Sequence, residues 1–132
     1  MRKTLYVLLL VFCSACSATR PLRTSDGKKL PNSIAETQRI RINGIKQFVT
    51  IRGMDRGNPI LLWLHGGPGN VAMPLYMHYS ASLEDQFVVV YWDQRGSGKS
   101  YSPRIAPTSM TLDQYHVDAN RTAGQWSIQR RI

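Results

Sequence analysis

The pentapeptide His65-Gly66-Gly67-Pro68-Gly69 follows directly on the apolar run Ile60-Leu61-Leu62-Trp63-Leu64. Glycines at two successive positions let the backbone come close to a ligand without Cβ obstruction, and Pro68 fixes φ and withholds one donor. A loop of set shape with backbone N–H groups turned outward is the chemistry of an oxyanion hole, where donors meet the charge that develops on a carbonyl oxygen. A second apolar run, residues 87–92, ends in a similar manner in Asp93-Gln94-Arg95-Gly96-Ser97-Gly98.

Other combinations carry less. Gly98-Lys99-Ser100 ends like a phosphate-binding loop, but the full motif needs glycine at position 93, and Asp93 there would repel phosphate. Pro103 and Pro107 also preclude the long helix that should start at the lysine. A Gly-x-Ser-x-Gly nucleophile turn is absent from the sequence; Gly98-Lys99-Ser100-Tyr101-Ser102 comes closest and lacks the final glycine. His78 and His116 fall on expected helices and read as surface or interface histidines. The spacing of His, Cys and Asp suits no metal site, so no metal and no cofactor is expected.

Taken together, His65-Gly66-Gly67-Pro68-Gly69 and, about two dozen residues later, Trp92-Asp93-Gln94-Arg95-Gly96 resemble the N-terminal part of an α/β-hydrolase of the proline iminopeptidase group. The resemblance covers residues 34–120. It implies an incomplete α/β-hydrolase fold and, in full-length relatives, hydrolysis of a peptide or a small ester or amide through an acyl-enzyme. It further implies that Gly67, with Gly66 shaping the turn, supplies one oxyanion N–H, and that His65, Pro68 and Gly69 support that loop. Residues 92–96 would form a structural turn stabilised by charge pairing. In such hydrolases the triad runs Ser, then Asp or Glu, then His, so neither Asp93 nor His65 fits it, and no catalytic residue is assigned within the chain. The reading is therefore of a hydrolase portion that stops before its nucleophile and is inactive alone. The family's strand order would leave residues 60–64 at a sheet edge, an aggregation hazard. A non-catalytic, lipid-anchored binding or interaction lipoprotein built on the same half-fold is the alternative.

The elements that must position these loops can be traced in the pattern. Ile40 and Ile42, then Ile45, Val49 and Ile51, flank Asn43-Gly44, a strong hairpin signal because both turn residues accept positive φ. Antiparallel strands are expected at residues 36–42 and 45–52. Residues 60–64 and 87–92 are continuous apolar runs, suited to strands of a parallel sheet buried on both faces. The 22 residues between them allow a crossover with a helix at residues 74–85, its stripe formed by Leu75, Tyr79 and Leu83. Another helix should start after Thr111, where Thr-Leu-Asp-Gln offers a capping box and Leu112, Tyr115 and Ala119 form a stripe. The class is α/β, with a domain over residues 33–122 and an irregular tail at 123–132.

The first residues read as an export signal: Arg2 and Lys3, an apolar stretch at 5–12, then small residues before Cys16. Cys13-Ser14-Ala15-Cys16 resembles a lipobox, with residues 1–15 as the signal and Cys16 carrying lipid; cleavage near Ala18 is the alternative. Residues 16–32, with Pro21, Gly27 and Pro31, read as a flexible tether. These expectations place the protein in the cell envelope, anchored to a bacterial membrane. Removing Arg2 and Lys3 takes the formal charge from +9 to +7. The remaining bases are scattered and lack interleaved aromatics, which argues against nucleic acid as a partner. Composition leaves the oligomeric state open.

Overall fold

The computed structural model describes residues 19–66, 69, 71, 78, 79 and 81–129. The elements run β1 (Ile34–Ile42), β2 (Ile45–Gly53), β3 (Ile60–Leu64), a short α1 (Leu83–Gln86), β4 (Val88–Asp93) and α2 (Leu112–Gln129), with 3-10 turns at Gly98–Ser100 and Pro107–Ser109. The strands form one sheet in the order β1-β2-β4-β3. It mixes an antiparallel hairpin with a parallel pair, the α/β arrangement read from the sequence.

The hairpin closes where Asn43 and Gly44 both take positive φ, 45° and 85°, and Ile42 faces Ile45 across the turn. β2 then runs antiparallel to β4, with Val49 opposite Trp92 and Ile51 opposite Val90. β3 lies parallel to β4 in a register pairing Leu62 with Val90 and Leu64 with Trp92. β4 is buried along its whole length, as a continuous apolar run should be in mid-sheet. β3, at the sheet edge, is only half-buried and ends in an exposed Leu64, so burial on both faces is not reached there.

One face of the sheet packs the main core, in which Ile34, Ile42, Val49, Ile51, Val88, Val90 and Trp92 meet Trp126 from α2. Three expected segments differ. First, residues 123–132 are not an irregular tail through Gln129, because α2 continues across Gly124 and brings Trp126 into the core at 7% exposure. The roughly 1 kcal/mol cost of a helical glycine is smaller than the gain from burying a tryptophan.

Second, residues 19–32 of the expected tether are folded against the domain. Arg23 and Lys29 bridge as antiparallel partners, Leu22 is buried, and the Leu30 N–H donates to the Leu22 carbonyl. Buried Arg52 holds this hairpin from below, donating to Thr19 Oγ1 and, at 2.7 Å, to the Arg20 carbonyl. Its guanidinium also pairs with Glu84 Oε1 at 2.9 Å, and the Tyr91 hydroxyl donates to the same carboxylate. Burial, then the charge of Glu84, pushes the Tyr91 phenol well above its ordinary range.

Third, the helix expected at 74–85 falls largely outside the described residues. Tyr79, assigned to its apolar stripe, is exposed, and the segment next to β4 is the short α1. The expected signal at 1–15 and Cys16 lie outside the described residues as well. Among the described residues, no helix is long and apolar enough to cross a membrane.

Candidate active site

β3 and β4 end side by side, so both sequence motifs lie at the carboxyl end of the parallel pair, where open α/β sheets bind ligands. His65 joins them. Its Nε2 accepts the backbone N–H of Gln94 at 3.1 Å, while the Gln94 side-chain amide donates to the His65 carbonyl at 2.9 Å. Ser97 Oγ lies 3.0 Å from the same Nε2 and donates to the Gln94 carbonyl at 2.6 Å. A ring nitrogen that accepts from an amide N–H carries no proton, so these contacts select the Nδ1–H tautomer. His65 is thereby occupied in tying the turn after β3 to the turn after β4.

In the glycine loop, Gly66 has open space where a Cβ would stand, and Gly69 takes a φ of 89°. Gly67 and Pro68 lie outside the described residues. In the second motif the glycines answer to geometry. Gly96 has a φ of 74°, and a Cβ on it would overlap Met110 Cε. A Cβ on Gly98 would stand 2.6 Å from Asp93 Oδ2.

The charges of Asp93-Gln94-Arg95 are not paired within the turn. Arg95 is buried and forms two hydrogen bonds with Asp118 of α2, Nε to Oδ2 at 2.8 Å and Nη2 to Oδ1 at 3.0 Å. Asp118 also accepts from Asn43, Gln47 and Gln114 at 2.7, 3.0 and 2.9 Å. Gln47 in turn accepts from the Trp92 indole. Burial pushes the Asp118 carboxyl up, but the hydrogen bonds from Arg95, Asn43, Gln47 and Gln114 together outweigh it and hold the group below the ordinary carboxylate range. Asp93 goes the other way. Its desolvation exceeds what the Lys99 N–H, at 2.9 Å, and nearby cations return, and its carboxyl is raised.

The Gly-Lys-Ser segment is a 3-10 turn with no cradle. Ser100 Oγ accepts the Phe48 N–H at 2.7 Å and donates to the Asp93 carbonyl, and Lys99 lies over the Phe48 ring. The described residues contain no group of ligands suited to a metal ion.

Beside the two turns opens a cavity of about 500 Å³, lined by Leu64, His65, Gly69, Trp92, Gln94, Met110 and the first turns of α2. The helix starts where expected, with the Gln114 N–H donating to Thr111 Oγ1. Its contribution to the wall is Leu112, Tyr115, His116 and Ala119, which the sequence does not mark as a site. There Tyr115 and Ala119 read only as stripe and His116 as surface. The Tyr115 hydroxyl donates to the Arg95 carbonyl at 3.1 Å, which anchors the helix to the second motif. Leu112 is 79% exposed and stands at the rim. The wall is thus apolar with few polar groups, the usual make-up of a small-molecule site.

Two proteins share this segment. "Probable aminopeptidase YbaC" of Bacillus subtilis (strain 168) is 47% identical over 96 residues, which are 73% of this chain and 30% of that protein. The proline iminopeptidase-related protein TTHA1809 from Thermus thermophilus has a crystal structure that superposes with a TM-score of 0.61 at 34% identity, covering 70% of this chain and 32% of that one. No family model matches the chain. The fold is similar to that of a proline iminopeptidase-related protein, and the relationship is hydrolase-like. The chain spans about a third of the length of each relative it matches.

Proposed function

We propose that this chain is the N-terminal portion of an α/β-hydrolase of the proline iminopeptidase type and contributes one half of its oxyanion hole. The observation that carries the reading is the His65 bridge. It fixes the turn after β3 to the turn after β4 at the rim of an apolar cavity, where a loop with N–H groups can meet a substrate carbonyl. Gly67, with Gly66 shaping the turn, donates to the tetrahedral intermediate; His65, Pro68 and Gly69 keep the loop in place. Each such donor is worth about 10²- to 10³-fold in rate.

The second donor and the nucleophile of this reaction come from a Gly-x-Ser-x-Gly turn, which these 132 residues do not contain. The polypeptide of 132 residues is accordingly inactive alone. Peptides, or small esters and amides, are the substrates of the completed enzyme, in keeping with the peptidase names of the relatives. The chain is exported and held at the cell envelope by lipid on Cys16, a reading supported by the lipobox-like Cys13-Ser14-Ala15-Cys16.

Assays of the purified polypeptide on prolyl-amide and acyl-ester substrates should give no turnover above buffer. Robust turnover that co-purifies with the chain would refute the half-site. DNA sequence beyond codon 132 should encode a Gly-x-Ser-x-Gly turn, in this frame or another. An intact gene stopping there, with a stably folded product, would favour a binding lipoprotein.

A further inference from the structure

The Arg23–Lys29 hairpin has two unlike faces. Leu22 is buried and Leu30 half-buried against the domain. Side chains alternate along an extended segment and bridge partners share a face, so Arg23 and Lys29 are exposed on the side away from Leu22 and Leu30, with the Arg23 guanidinium donating to the Gly27 carbonyl at 2.7 Å. Arg20 and Lys28 are also exposed. Asp26 is the one acid among these residues, bonded to Lys28 at 3.1 Å. The unit is not a swinging tail, because buried Arg52 grips Thr19 and the Arg20 carbonyl.

We propose that this hairpin is a docking face for anionic phospholipid headgroups, and that it orients the domain with its cavity away from the bilayer. Two residues separate Cys16 from Thr19, so the three Cα–Cα steps reach at most about 11 Å. With lipid on Cys16, as proposed above, the hairpin is held about one Debye length, roughly 8 Å at physiological salt, from the headgroups. At that distance the attraction between its cations and anionic lipid is weakened by salt but not abolished. The hairpin is held by Arg52, which lies opposite Val89 where β4 begins. The cavity lies beyond the other end, beside Trp92 and Gln94. From Val89 to Gln94 the chain advances five residues, roughly 17 Å, so a hairpin against the membrane turns the candidate site toward the aqueous phase.

The test uses the full chain carrying Cys16→Ser, which removes the acyl anchor, with vesicles of phosphatidylcholine alone and of phosphatidylcholine mixed with phosphatidylglycerol. Apolar binding by residues 5–12 is common to both vesicle types, so the anionic excess reports electrostatic docking. Each cation near such a surface multiplies partitioning about fivefold. Reversing Arg23 and Lys29 to Glu should cut the anionic excess about 30-fold or more, and added salt should cut it too. Reversing Arg41 and Lys46, an exposed cross-strand cation pair beside the Asn43-Gly44 turn, should leave most of it. No anionic excess, or equal losses from the two double variants, would overturn the proposal.

A bimane label on Ser25→Cys, in the chain with Cys13 and Cys16 replaced by Ser, keeps the test decisive if charge reversal unfolds the hairpin. Its emission should shift to the blue on anionic vesicles while a label on Lys46→Cys does not; the reverse pattern would also overturn the proposal. Mass spectrometry of the native membrane fraction tests the anchor separately. Unmodified Cys16, or an N-terminus at Ser17 or later, would remove the anchor and leave the vesicle result standing.

Discussion

Replacing Asp118 by Ala should be among the most damaging single changes in the molecule. The carboxylate is fully buried and accepts five hydrogen bonds from four side chains. Removing one partner of a buried ion pair costs about 3–5 kcal/mol, because the other charge is left uncompensated. Here that charge is Arg95, whose side chain is 3% exposed. Gln47, also fully buried, would lose an acceptor as well, at about 1 kcal/mol or more. Asn43 is exposed and Gln114 half-buried, so water can replace their bonds. The sum, about 4–6 kcal/mol, is a large share of the 5–15 kcal/mol that holds a typical domain together. In urea unfolding with a slope of about 2 kcal/mol per molar, the midpoint should fall by roughly 2 M or more. Asp118→Asn keeps the shape and one acceptor oxygen and should lose less. The joint change Arg95→Met with Asp118→Leu should lose less than the sum of the two single changes. A midpoint shift below about 0.5 M for Asp118→Ala would refute the view that this network holds the second motif in place.

The pH dependence of the two buried carboxylates should run in opposite directions. Asp118 has a lowered folded pKa, so its contribution is present above the unfolded value, near 4, and is lost as pH falls through the folded one. Asp93 has a raised folded pKa, so stability from that group grows as pH falls from above the folded value toward the unfolded one. Asp93→Asn should therefore be neutral or stabilising at pH 7 and should remove that segment of the stability–pH curve; a loss above about 2 kcal/mol would show that the charged form is required. Gly98→Ala drives a Cβ into Val71 Cγ2 at a φ of 45°, and should cost about 1–3 kcal/mol in thermal unfolding; a neutral result would mean the turn relaxes freely.

Local signals in the sequence were those that local physics decides. Asn43-Gly44 marked the hairpin because few other dipeptides accept two positive φ values, and the runs at 60–64 and 87–92 marked strands because polar interruption was missing, although only the second, as β4, is buried along its length. Thr111 marked a helix start through its own side-chain acceptor. What escaped depended on contacts distant in the chain. Asp118 looks like a solvent-facing helix residue until Arg95 arrives from the turn after β4 and Gln47 from β2. Trp126 follows a glycine that looks like a stop, and only its place in the core explains the continued helix. Residues 19–32 lack any periodic pattern because two isolated leucines, Leu22 and Leu30, and a buried arginine fix them. In the candidate site, the two loops were readable from their glycines. The wall given by α2 was not, because nothing in Tyr115-His116 says which way the helix turns.

The most direct measurement of the proposed half-site grafts it into a complete relative. The segment of Bacillus subtilis YbaC matched over 96 residues is replaced by that of this chain, and hydrolysis of prolyl-amide and acyl-ester substrates is compared with unmodified YbaC. The graft should retain the parent's kcat/KM within about tenfold, since the oxyanion contribution is preserved, and Gly67→Pro within it should lower kcat about 10²- to 10³-fold by removing the donor. A folded graft without activity, or a Gly67→Pro graft as active as its parent, would contradict the account.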